Sequence, residues 1–108
     1  PNAAIISELL GLPLRNECRA TISGMVIDVM GRMITCPSLV AAGYYKEKEL
    51  PFFGDDFMDT WHNNETFVRF RRNGFRECQA RSFIFSKNVQ GRDPYGITAF
   101  REYRQSKE

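Results

Sequence analysis

Apolar residues fall at helical spacing at the start of the chain and at strand-like spacing after it. In "NAAIISELLGLP", Ile5, Ile6, Leu9 and Leu10 form a stripe suited to a short helix, with Asn2 as its cap and Gly11 and Pro13 as its stop. Residues 18–29, "CRATISGMVIDV", are rich in β-branched side chains and predict a strand. "VMGRM" then reads as a tight turn, and "RMITC" as a second strand that Pro37 ends because it has no N–H to donate. Ser38 or Pro37 can open one or two short helical turns through "LVAAGYY" that end at Gly43, "KEKEL" adds a charged one, and Asp55 and Asp56 suit the first turn of a short helix. "ETFVRFRR" alternates, and Asn73-Gly74 after it is a strong hairpin signal. "FRECQARSFIFSK" and "ITAFREYRQ" read as two further strands around the loop "NVQGRDPYG".

These elements predict an α+β domain with a five-stranded antiparallel sheet. Short helices between strands 2 and 3 cover one face of it, and an N-terminal helix flanks it. The space between sheet and helices is where a small ligand is expected.

The chain has 108 residues, of which 43% are apolar and 26% charged, which fits one folded domain and argues against disorder. No apolar run approaches the ~18 residues of a membrane helix. The start at Pro1 and the end "RQSKE" are expected of a piece of a longer chain. Cys18, Cys36 and Cys78 are odd in number and form no C-x-x-C. They are expected to be thiols in a reducing, cytoplasmic compartment. The net charge of +2 does not imply nucleic acid. Charge is uneven, however. Residues 46–65 are acidic, whereas residues 67–87 carry Arg69, Arg71, Arg72, Arg76, Arg81 and Lys87 against Glu77. The two segments either face each other or leave a basic partner surface.

Several of these stretches, taken in order, resemble the PAS sensor family. Asp28, Gly31, Arg32 and Met33, then Gly43-Tyr44, then Glu49-Leu50 match the order of its opening half. Residues 67–105 are similar to its last three strands, with an Arg-rich strand, an Asn-Gly turn and a Gly-containing loop. The resemblance covers about residues 20–104 and implies a flanking dimer helix at 1–16 and a sensor domain at 17–108. It implies a sensor and dimerisation module of a larger signalling protein, linked to an effector such as a kinase, a cyclic-dinucleotide enzyme or a DNA-binding domain. A homodimer through Ile5, Ile6, Leu9 and Leu10 is expected. Neither a membrane nor nucleic acid is expected as a partner.

The candidate ligand pocket is Met33, Phe53, Phe57, Trp61, His62, Phe70 and Phe83. For the aromatic and Met positions, core packing is the plainer reading. His62 is the only histidine and a conceivable haem ligand, although a surface or capping role fits "DTWHNNE" better. No motif specific to haem or flavin is present, so any cofactor stays open. Asp55, Asp56 and Asp59 lack the spacing of a calcium loop, so no metal is expected. One histidine without a recognisable nucleophile–base motif argues against an enzyme. Two other readings stand beside the sensor. One is an OB-like barrel that stacks single-stranded nucleic acid on Phe70, Phe75, Phe83 and Phe85. The other is a protein-interaction module that binds no ligand.

Overall fold

The computed structural model describes residues 3–14 and 18–107. They form six α-helices, one 3-10 turn and a two-stranded hairpin, so the five-stranded sheet is not there. The chain divides into two compact units. One comprises residues 19–74; the other joins residues 1–18 to residues 75–108.

The 19–74 unit opens with the predicted hairpin, much shortened. Strands β1 (Val26–Ile27) and β2 (Met33–Ile34) pair antiparallel, Val26 with Ile34 and Ile27 with Met33. Helix α2 (Pro37–Ala41) begins at Pro37, one of the two residues expected to open it, and stops at Gly43. There the Gly43 N–H reaches the Val40 carbonyl and the Tyr44 N–H the Leu39 carbonyl, an ending that needs the positive φ of Gly43. A 3-10 turn, Glu47–Glu49, follows. Helices α3 (Phe57–Asn63) and α4 (Glu65–Asn73) share a single connecting residue, Asn64. Its side chain accepts the Thr66 N–H and caps α4. Met33, Ile34, Leu39, Tyr45, Leu50, Phe67 and Phe70 form this unit's core.

The segment "ETFVRFRR" is thus a helix, not the third strand. Its buried residues, Thr66, Phe67 and Phe70, recur at three and four positions, which is the helical period. Asn73-Gly74 is not a hairpin turn but the end of α4, where Gly74 supplies the φ of 92°. The fourth and fifth predicted strands are also helices, and both lie in the other unit. They are α5 (Gln79–Ser86), ended by Lys87 in the left-handed region, and α6 (Ile97–Ser106).

Helix α1 (Ala3–Leu9) packs against α6. It ends as predicted at Gly11, whose N–H reaches the Glu8 carbonyl while the Leu12 N–H reaches that of Ser7. The Asn2 cap lies outside the described residues. The buried residues of this unit are mostly small or polar: Ala4, Ser7, Gln79, Ala80, Ser82, Asp93 and Ile97.

Candidate functional site

The residues predicted to line one pocket are divided between the two units. Met33 and Phe70 are buried in the core of the 19–74 unit. Phe57 and Trp61 are half-buried on α3, with Trp61 beside Phe67 at a ring separation of 6.0 Å. Phe53 is largely exposed and stacks on Phe57 at 4.9 Å, and His62 is exposed on α3. Phe83 lies on α5 in the other unit. With only two strands among the described residues, the five-stranded sheet against which that space was expected is not there. The OB-like alternative loses its barrel for the same reason.

Cavities bounded by described residues of the unit built from residues 1–18 and 75–108 are lined by other side chains. One, of about 350 Å³, is bounded by Glu8, Arg101, Arg104 and Gln105. Another, of about 270 Å³, is bounded by Glu77, Gln90, Gly91, Arg92, Asp93 and Thr98. Among the described residues, no three His, Cys, Asp or Glu side chains gather to hold a metal ion.

Several arginines of the basic segment have partners within their own unit. Arg69 pairs with Glu49 at 2.7 Å, and this bond holds the Glu49 carboxyl below the usual carboxylate range, helped by the backbone N–H of Lys46. Arg71 donates to the backbone carbonyls of Trp61 and Thr21. Arg81 pairs with the buried Asp93 at 3.0 Å. These guanidiniums hold the fold and are committed before any partner arrives, which removes much of the basic surface that the sequence suggested.

The predicted dimer stripe fares differently. Helix α1 turns its small residues, Ala4 and Ser7, inward. Ile5 is half-buried, while Ile6, Leu9 and Leu10 are 54%, 61% and 66% exposed. Leu12 and Leu14, beyond the helix, are exposed as well. The orientation of α1 is set by Glu8, whose carboxylate accepts two bonds of 2.7 Å from the Arg101 guanidinium on α6. That fork holds the Glu8 carboxyl below its ordinary range, with lesser help from the charges of Arg101 itself, Arg104 and Arg76.

Three further groups are also placed by the structure. The hairpin tip, Val29 and Met30, is 101% and 69% exposed. Glu77 caps α6 from outside the helix, accepting from the backbone N–H and the hydroxyl of Thr98. Arg32 ties the hairpin to residues 47–50, bonding the Glu47 and Leu50 carbonyls and the Glu47 carboxylate. The sequence signalled the turn, by Gly31, and named Arg32 beside it, but not the bonds that Arg32 and Glu77 make. Comparison with protein-family models, curated proteins and solved structures finds no match to this chain. Among the described residues, no helix is long and apolar enough to cross a membrane.

Proposed function

We propose that this chain is a protein-interaction module that self-associates through α1, so that two copies are held together and whatever is attached to them is brought into proximity. The observation that carries this reading is the inverted burial of α1 and its unit. Small side chains fill the interior while Ile6, Leu9 and Leu10 face outward. A lone exposed apolar residue is ordinary, but Ile6 and Leu9 on α1 with Leu10 directly after it are the pattern of a surface that is covered in use. Ile6, Leu9 and Leu10 are themselves uncharged, so like charges do not oppose their meeting in a second copy. Of the sensor and dimerisation roles implied by the PAS resemblance, this geometry supports dimerisation. Cys18, Cys36 and Cys78 form no disulfide, which supports the cytoplasm as the setting.

Sedimentation equilibrium of the full chain tests this. The wild type should show a reversible dimer. Leu9→Glu should weaken it by more than about a hundredfold, because a carboxylate would be buried without a partner. Its helical circular dichroism should not change, since Leu9 adds nothing to the interior. A wild type that stays monomeric at high concentration, or a Leu9→Glu dimer as tight as the wild type, overturns the proposal.

A further inference from the structure

The 19–74 unit has an exposed apolar surface of its own, and its construction is different. Within residues 28–32 the turn is held by main-chain and Asp28 contacts, and the Arg32 side chain ties it to Glu47 and Leu50. Asp28 Oδ1 accepts the N–H groups of Met30 and Arg32, both at 2.9 Å, and the Gly31 N–H reaches the Asp28 carbonyl. None of these bonds uses the side chains of Val29 or Met30, which stand in solvent on a turn that is already fixed. The segment after Pro51 runs beside this turn. Phe53 donates its N–H to the Gly31 carbonyl at 2.8 Å, which sets Phe53 next to the tip. Phe53 stacks on Phe57, the first residue of α3, and Met58 after it is exposed. Between Phe53 and α3 lie Asp55 and Asp56, both exposed, and among the described residues neither has an ion-pair partner.

We infer that this end of the hairpin docks a segment of a partner protein that carries large apolar anchors flanked by lysine or arginine. Methionine and phenylalanine supply an adaptable apolar contact, and a rigid turn loses little conformational freedom on binding. The adjacent carboxylates select the charge of the partner. They also argue against the other candidates for this surface. A second copy would set Asp55 and Asp56 against their own duplicates, and an anionic membrane would be repelled. The surface lies in a different unit from α1, so the inference does not depend on self-association.

The test uses the full chain and two labelled synthetic peptides in fluorescence anisotropy. Both have leucine at i, i+4 spacing; one carries lysine and the other glutamate at the remaining positions. The lysine peptide should bind, and more weakly at high salt, while the glutamate peptide should not. Val29→Ser with Met30→Ser should weaken binding by about tenfold or more. Asp55→Asn with Asp56→Asn should weaken it about three- to tenfold and flatten the salt dependence. Leu9→Glu should bind as the wild type does. Equal binding of both peptides, or unchanged binding by the Val29/Met30 double variant, overturns the inference. So does a change in the oligomeric state of that variant, which would identify a second copy as the occupant.

Discussion

Replacing Gly96 by Ala looks harmless from the backbone, because its φ of −93° and ψ of 179° suit any residue. The space around it is the obstacle. A Cβ there would lie 1.6 Å from Glu77 Oε2 and 2.8 Å from Glu77 Cδ, so the carboxylate must leave. With it go the two bonds to Thr98, of 3.0 and 2.6 Å, which supply the cap that Gly96 has no side chain to provide. A helix cap is worth about 1 kcal/mol, and a bond to a charged acceptor about 1.5–3 kcal/mol, so the loss is roughly 2 kcal/mol. The loss of glycine's freedom in the unfolded chain returns about 0.4–1 kcal/mol, leaving a net cost of roughly 1–2 kcal/mol. In a Glu77→Ala background there is no carboxylate to displace. Gly96→Ala should then be neutral or slightly stabilising. Urea unfolding of the four proteins, followed by far-ultraviolet circular dichroism, gives the coupling between the two positions. It should be roughly 1.5–2.5 kcal/mol, well beyond the ~0.5 kcal/mol scatter of independent sites. Faster hydrogen exchange at the Thr98 amide should accompany Gly96→Ala. If Gly96→Ala costs the same in both backgrounds, Glu77 is not the cap and the reasoning fails.

Two further outcomes follow from the 19–74 unit. Burial pushes the Tyr45 hydroxyl up to about 12, partly offset by the hydrogen bond that Thr35 donates at 2.8 Å. The folded state therefore holds this proton more tightly than the unfolded chain, whose tyrosine ionises near pH 10. The stability it contributes is complete below about pH 10 and lost as the pH rises toward 12, a fall of roughly 2 kcal/mol that Tyr45→Phe should abolish in urea titrations at increasing pH. Asp28→Ala removes the acceptor for two turn amides, and should cost about 1–2 kcal/mol and speed hydrogen exchange at Met30 and Arg32; unchanged exchange there would mean that the turn holds without it.

Local stop and start signals were legible in the sequence, whereas the identity of the longer elements was not. Gly11 and Gly43 end helices where expected, Pro37 opens one, and Gly31 sits in the hairpin turn. Asn73-Gly74 misled because a hairpin turn and a helix end both call for a residue at positive φ, and glycine serves either. The flanking period decides between them, and in "ETFVRFRR" the run of Phe and Val hid a spacing that is helical. Asn64 before Glu65 was the missed clue, since it caps α4. "SFIFS" misled differently. Its β-branched and aromatic residues favour a strand, yet in α5 Ile84 and Phe85 face outward and the smaller Ala80 and Ser82 are buried. Tertiary packing overrode local preference there. Of the candidate site, the α1 stripe was visible as a pattern of large apolar residues. The direction in which it points was not, because that depends on Glu8 meeting Arg101 from the far end of the chain.

That last pairing joins residues 93 positions apart, and it bears on biosynthesis. The ribosome makes α1 well before its partner α6. Residues 19–74 can collapse while translation is under way, but α1 has to wait, its leucines open to whatever the nascent chain encounters. At ordinary elongation rates of about 5–20 residues per second, that interval lasts several seconds. A holding chaperone, or the α1 of a neighbouring nascent chain on the same message, has that long to engage it. If copies self-associate as proposed, their assembly can therefore begin before α6 has been made.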